Sequence, residues 1–404
     1  MTGNKTTFMY AGHICLDILP GIPVQQSLDL EKIASPGALV QVIEPIIGTG
    51  GPVSNSGIAA HIIGGQIGYT ALLNGKIGDD DLGKVLQAKI AERGLDPGAM
   101  TVDGTTKTSY TVVIGFDDTN GGTRDRVFFH GPLANDTFGF EDVAWDSAGE
   151  ADGIHLGYPP LMRLLYSDGG ATLSKIMRYA KELGLTTSLD MAACDPNSDA
   201  GKADWDSILR MSLPSVDMFT PSIGETLYMT DRALFDELDE TKTDLVDRVD
   251  GNQISSVSEK LSGYGNEIPI IVLKMGHRGV YMVTGSRESL ERMGRFKPED
   301  LDAWANRELW HTSYHAEFPM ATGAGDTTIA GMHVAMHMGL SPESVLERGT
   351  LYGWQCVGAP DALGGLKPWS ESTTAGLTKN PLEVKGKGWK EVGGGLYAGP
   401  RNKG

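Results

Sequence analysis

Apolar positions along this chain switch between a period of two and a period near 3.6, and the switching lays out strands and helices in alternation. Residues 8–19 are mostly apolar and predict a first strand, with Gly12 near its middle and Asp17 towards its C-terminal end. Residues 20–47 are broken by Pro and Gly and then give LVQVIEPII, an extended piece placed outside the central layers. A strand over 69–78 leads into Asp79, Asp80 and Asp81, and then into the amphipathic stretch LGKVLQAKIAERG, which ends at Gly94. Three adjacent carboxylates can draw a divalent cation. Their commoner role is a solvated turn that caps the following helix, and that is the expectation here. Residues 105–116 and 126–130 alternate on either side of the turn-rich DDTNGGTRD, which marks a β-hairpin. With residues 39–47 the hairpin predicts a small sheet that acts as a lid, with His130 and Asn135 within reach of a substrate.

From Gly153 the order becomes regular. GIHLGY predicts a strand, 171–183 a helix, LTTSLDMAA a strand ending at Asp190, and VDMFTPSIGETLYM a strand, turn and helix with Glu225 in the helix's first turn. A carboxylate there either complements the helix dipole or holds a metal-bound water, and both readings stay open. Residues 231–260 predict a solvated, acidic helical insertion. IPIIVLKMGHRGVYMV, over 268–283, predicts two strands about a glycine turn, with Lys274, Gly276 and Gly279 where a nucleotide can lie against backbone. The order as a whole predicts an α/β protein with a mostly parallel sheet covered on both faces.

Two small-residue segments carry candidate chemistry. Gly48-Thr49-Gly50-Gly51-Pro52-Val53-Ser54-Asn55 runs into a small-residue helix and offers backbone N–H groups and one amide to a polar ligand. No Lys-Ser/Thr closes it as in the Walker pattern, and no GxGxxG opens the first βα unit. Residues 318–338 read FPMATGAGDTTIAGMHVAMHM, a loop Thr322-Gly323-Ala324-Gly325-Asp326 that feeds a helix. A glycine loop at a helix N-terminus points unpaired N–H groups and the positive dipole end at an anion, most often a phosphate. Asp326 lies beside that anion, placed to take a proton from an attacking hydroxyl, or else serves only as the helix N-cap. His333 and His337 share a helix face, but no third ligand accompanies them, so a metal pair is not expected.

Composition narrows the classes. The 404 residues allow a large core, 54 glycines indicate many turns, and the net charge of −18 excludes nucleic acid and anionic membrane as long-range partners. Cys15, Cys194 and Cys356 are far apart and odd in number, which implies a reducing compartment and no disulfide framework. The N-terminus shows no basic segment followed by a long apolar run, and no stretch is apolar enough to cross a membrane, so a cytoplasmic protein is expected.

The Gly-Gly-x-x-x-Asn segment near residue 50, GKIGDDDLG soon after it and TGAGD near residue 323 occur in one order, and in that order the chain resembles the ribokinase-like (PfkB-type) carbohydrate kinases over roughly residues 8–370. The resemblance implies a three-layer α/β/α, Rossmann-like domain over residues 1–370, with lid segments near 20–47 and 105–130 and a glycine-rich extension over 371–404. It implies transfer of a phosphoryl group from ATP with Mg²⁺ to a hydroxymethyl group. Asp326 matches the base, and Gly323, Ala324 and Gly325 match the anion hole. Asp17, Gly51 and Asn55 match sugar contacts, Lys274, Gly276 and Gly279 border ATP, and Glu225 matches an acidic residue linked to the metal. Two positions depart from the family pattern. Met320 and Ala321 stand where Asp-Thr is usual, and a thioether does not replace a hard oxygen ligand of a monovalent cation. Ser222 stands where Asn precedes the acidic residue. A nucleoside kinase of the same fold, with Phe128 or Phe129 stacking on a base, and a non-catalytic sugar- or nucleotide-binding relative are the rival readings. Whether two lids pair their edges into a homodimer is left open.

Overall fold

The computed structural model describes residues 5–21, 36–116, 125–239, 244–317, 323–359 and 362–402. Its strands are β1 (Thr6–Gly12), β2 (Cys15–Gly21), β3 (Ile43–Gly50), β4 (Tyr69–Gly78), β5 (Thr101–Asp103), β6 (Tyr110–Phe116), β7 (Asp125–Gly131) and β8 (Gly153–Gly157). They continue as β9 (Thr186–Asp190), β10 (Met218–Phe219), β11 (Ile270–Lys274), β12 (Val280–Thr284), β13 (Glu308–His311), β14 (Lys390–Gly393) and β15 (Leu396–Ala398). Four helices bear on the site: α1 (Pro52–Gly64), α2 (Ile223–Thr230), α3 (Ala324–His337) and α4 (Pro342–Val357).

Eleven strands form the central sheet in the order β14-β15-β13-β12-β11-β10-β9-β8-β1-β4-β5. Pairings from β5 through β11 are parallel, and those from β11 to β14 are antiparallel. The parallel strands have apolar side chains on both faces because both faces are covered. Met9 and Ala11 of β1 enter one core, with Leu173, Ile176, Leu209 and Leu227 from the helices of that side. Phe8 and Tyr10 enter the other, with Ile58 of α1, Val334 of α3 and Leu346 of α4. The result is the three-layer α/β/α arrangement.

The expected single strand over residues 8–19 is two strands in different sheets. β1 lies in the central sheet, whereas β2 pairs antiparallel with β3 and parallel with β6 in a four-stranded sheet ordered β3-β2-β6-β7. The break falls at Gly12, whose φ is 111°, and a Cβ there would stand 2.7 Å from the carbonyl oxygen of Gly157. Apolar periodicity continues straight through this bend, so pattern alone does not show it. Asn135 staples the bend, accepting from Ile14 N at 3.2 Å and donating to Ile14 O at 2.9 Å. Its amide is thereby spent on the fold and is not free for a substrate. β3 holds the second half of the expected extended piece in the lid sheet, while residues 22–35 of the segment before it lie outside the described residues.

Asp80 caps the helix Asp81–Glu92, accepting from Gly83 N at 2.9 Å, so the acidic run is a capped turn. The glycine-rich tail closes the far edge of the central sheet: β15 pairs with β13 and β14 with β15. Among the described residues no helix is long and apolar enough to cross a membrane.

His333 and His337 each have a structural place. His337 Nδ1 meets Thr6 Oγ1 at 2.8 Å, and His333 is buried against Phe8 and Tyr10, its Nε2 without a partner. Burial pushes the His333 imidazolium down to about 3. A folded pKa below the unfolded one means that the native state binds fewer protons, so this contribution is complete above pH 6.5 and is lost as pH falls towards 3. His333→Phe is therefore expected to flatten the loss of stability between about pH 6 and 4, read as urea midpoints across that range. An unchanged slope would assign the acid sensitivity to other groups.

Candidate active site

Three elements converge where the lid meets the central layer. α1 begins at Gly51, directly after β3 returns from the lid. α3 begins at Gly323, which has φ 77° and, being glycine, caps the helix with no side chain. The first-turn N–H groups of α3 therefore face outward with the positive end of the dipole. β11 ends at Lys274 beside them, and a Cβ on Gly325 would stand 3.2 Å from its Nζ.

Asp326 sits in the first turn of α3, fully buried. Asn55 Nδ2 donates to its Oδ2 at 3.0 Å, and the Tyr158 hydroxyl lies 3.1 Å from both carboxylate oxygens. Ser56 Oγ donates to its backbone oxygen at 3.2 Å. These contacts leave Oδ1 with a free lone pair for an incoming hydroxyl. Burial pushes the carboxyl above the ordinary range and the Glu225 charge adds to this, while Lys274, Asn55 and Tyr158 pull it back. Asp326 is not the N-cap, since Gly323 holds that position.

Asp17 comes to the same cleft from β2. It packs so closely on the β3–α1 junction that a Cβ on Gly50 would fall 2.3 Å from its carboxylate oxygens. Burial raises its carboxyl to about 6, hydrogen bonds from Cys15 and Thr111 oppose this, and the Asp326 charge adds to it. The two acidic groups thus feel each other across the cleft.

On the other side of α3, Lys274 Nζ bonds both oxygens of Asp190, at 2.8 and 2.7 Å, and Asp190 is fully buried at the end of β9. Burial raises the Asp190 carboxyl above the ordinary range, and the Lys274 ammonium opposes that rise only in part. The Asp190 and Glu225 charges in turn keep Lys274 protonated against its own burial. Glu225 and Ser222 form a capping box on α2: Ser222 N donates to Glu225 Oε2 at 2.7 Å, and Glu225 N to Ser222 Oγ at 3.2 Å. The shorter serine thus completes the cap where a longer amide was expected.

A cavity of about 330 Å³ opens in front of the α3 N-terminus. Lys274, Gly276, Gly279, Ala324 and Gly325 line it, with Tyr314, Trp354 and Asn380 as further wall. The structure thus brings Asp17, Asn55, Lys274 and residues 323–326 close together, with Gly51 at the start of α1 and Glu225 in electrostatic reach, and it sets Lys274, Gly276, Gly279, Ala324 and Gly325 on the cavity. Met320 and Ala321 lie outside the described residues. Phe128 and Phe129 of β7 are both exposed, at 52 % and 57 %. Sequence reasoning missed Tyr158, which reaches Asp326 because its backbone takes a left-handed conformation, φ 65°, directly after β8. The strand ending GYPP was the available signal. It also missed Asn380, which brings the tail to the cavity wall by bonding Ser313 Oγ at 2.8 Å.

A doubly covered sheet with a lid sheet over a glycine-capped helix is the fold class these observations define. Residues 22–301 match the pfkB family carbohydrate kinase, more than half of the chain, and the chain belongs to that family. The matched stretch ends before α3. A probable fructokinase-3 of Arabidopsis thaliana is 26% identical over 195 residues, 48% of this chain and 50% of its own. A fructokinase-1 of Oryza sativa subsp. japonica is 27% identical over 190 residues, 47% of this chain and 52% of its own. The chain spans about half the length of these curated relatives. Among solved structures, a fructokinase with bound ATP from Xylella fastidiosa matches with TM-score 0.62 at 17% identity, covering 91% of this chain and 97% of that one. The ribokinase of Arabidopsis thaliana complexed with ribose and ATP gives 0.61 at 18%, with the same coverage. At such identities the likeness carries the fold, which is the ribokinase type.

Proposed function

We propose that the protein transfers the γ-phosphoryl group of ATP to a primary hydroxyl of a small sugar or sugar acid. The observation that carries this is the placing of one buried carboxylate, Asp326, in the first turn of a helix whose uncapped amides line the neighbouring cavity. In this reading the acceptor lies between Asp17, Gly51, Asn55 and Asp326, and the triphosphate lies in the cavity against Lys274, Gly276 and Gly279. The acceptor oxygen attacks phosphorus, its proton passes to Asp326, and the bond to the bridging oxygen of the leaving diphosphate breaks. Amides of Gly323, Ala324 and Gly325 stabilise the charge on the transferred group without moving. The hard carboxylate oxygens of Glu225 and Asp190 suit magnesium, and Glu225, the half-exposed one, would hold it. Magnesium supplies charge neutralisation between the phosphates.

ADP release with fructose, ribose, keto-deoxy sugar acids and nucleosides offered singly tests the reading. Turnover with a sugar or sugar acid supports it. Turnover confined to nucleosides, or ligand-induced thermal stabilisation without ADP release, would replace it.

Because burial raises the carboxyl of Asp17 to about 6 and raises that of Asp326 as well, kcat/KM is expected to fall on the acid side at a pH above the usual carboxylate range. Protonation inactivates in each case, so activity is present above that pH and lost below it. Tyr158→Phe removes a donor that holds Asp326 down, and the acid limb is expected to move to higher pH. A limb that stays in place would separate Tyr158 from the base.

The lid also leaves Ile43, Ile46, Ile47, Phe128 and Phe129 exposed. We propose that a second copy covers this surface, making the protein a homodimer through the lid. Replacing Phe128 and Phe129 together by Asp is expected to halve the mass seen by light scattering; an unchanged mass would place the interface elsewhere, or show that none forms.

A further inference from the structure

We propose that His13, Cys15 and His130 form a binding site for a borderline-soft divalent cation, zinc by preference, at the edge of the cleft that holds Asp17. His13 lies in the bend between β1 and β2, Cys15 opens β2, and His130 stands near the end of β7, so the site straddles the junction of lid and body. One ligand atom from each of the three lies within 4.8 Å of the others. The two Nε2 atoms are 3.3 Å apart, with ring centroids at 5.0 Å. Two nitrogens held ~2.1 Å from one tetrahedral zinc stand about 3.4 Å apart, so the imidazoles are already spaced as such a pair of ligands. The remaining gap to the thiol closes by side-chain adjustments of roughly 1 Å, since a zinc–sulfur bond is longer than a zinc–nitrogen bond.

The surroundings favour the same reading. Thr111 Oγ1 lies 3.0 Å from His130 Nδ1, the contact that fixes a ligating ring and leaves Nε2 for the metal. His13 Nδ1 is buried with no hydrogen-bond partner, so no other contact commits that ring's tautomer. Imidazole and thiolate suit zinc, whereas magnesium prefers oxygen, so the site discriminates against the cation used with ATP. On binding, the Cys15 proton is released to solvent.

Occupation has a consequence for the cleft. Cys15 Sγ donates to Asp17 Oδ1 at 3.3 Å, and the His13 ring lies 6.0 Å from that of Tyr158. A cation with three protein ligands keeps a fourth position. Asp17, in contact with the Cys15 ligand atom, is where the acceptor is placed in the reading above. Zinc therefore competes with the acceptor; this half rests on that reading, and the binding site itself does not.

Cobalt(II) reports the site independently of turnover. Titrating the full, reduced, metal-free chain with cobalt is expected to give a thiolate-to-cobalt charge-transfer absorption that saturates at about one equivalent and is displaced by zinc but not by excess magnesium. Cys15→Ser is expected to abolish the absorption, and His130→Ala to weaken cobalt binding at least about tenfold, with thermal melts confirming that both variants fold. No absorption in the unaltered chain overturns the proposal. So does an absorption that survives Cys15→Ser, since Cys194 or Cys356 would then be the ligand. In a sugar-dependent ADP assay, zinc inhibition relieved by acceptor and not by ATP supports the competition, and relief by ATP alone overturns that half. A chain that binds cobalt at Cys15 yet turns over no acceptor would sink the kinase reading and leave the metal site standing.

Discussion

Asp326→Asn is expected to lower kcat by about 10²–10⁴, the usual worth of a positioned general base. The amide keeps the volume and still accepts from Tyr158, so the fold should survive and the melting temperature should change little. It cannot take a proton at neutral pH. Its NH₂ also confronts the Asn55 donor that now reaches Oδ2 at 3.0 Å. Rates under saturating ATP and acceptor read the effect, and KM for ATP should move far less than kcat, because the amides of residues 323–325 are backbone groups and remain. Near-normal turnover in a folded variant would remove Asp326 from the chemistry. A large rise in KM for ATP with kcat unchanged would make it a binding group.

That residue was legible because its chemistry is local. A small-residue loop and the helix after it are written in consecutive positions, and a glycine N-cap leaves amides exposed whatever the rest of the chain does. The strand–helix alternation was legible for the same reason, since a buried parallel strand and an amphipathic helix differ in period. The bend at Gly12 was not. A glycine with positive φ inside an apolar run looks the same as a glycine in a continuous strand, and the clash with Gly157 that forbids a side chain lies 145 positions away. Missing the bend displaced Asp17 from the end of a central strand to the lid, although it still reaches the cleft.

Long-range pairings hid the rest. Tyr158 and Asp326 are 168 positions apart, and no pattern around either announces the other. The His13–His130 contact spans 117 positions and depends on the pairing of β2 with β6 and of β6 with β7. The tail's composition shows only that it is rich in glycine, and nothing in it announces that Leu396–Ala398 pairs with β13, whose edge would otherwise be an unpaired row of donors and acceptors. Glycine content speaks to turns, and β14 and β15 are joined by one at Gly393, Gly394 and Gly395, all with positive φ.

Lys274→Met is expected to destabilise the protein by about 3–5 kcal/mol, because it strands the Asp190 carboxylate in the interior. Lys274 is 13 % exposed and Asp190 0 %, so water does not replace the lost cation. With Lys274 gone, the opposing pull on Asp190 is gone too, and its carboxyl rises further. Asp190→Asn combined with Lys274→Met removes both charges and should recover most of the loss, since deleting a buried pair outright costs little compared with breaking it. Turnover should not recover with it. Lys274 Nζ stands in front of the α3 amides, where a phosphate would lie, and methionine offers that phosphate nothing. A double variant that melts near the parent and still shows a raised KM for ATP would separate the two tasks of this lysine. A single variant that melts within about a degree of the parent would mean that the ion pair carries no stability, leaving Lys274 only its place at the helix N-terminus.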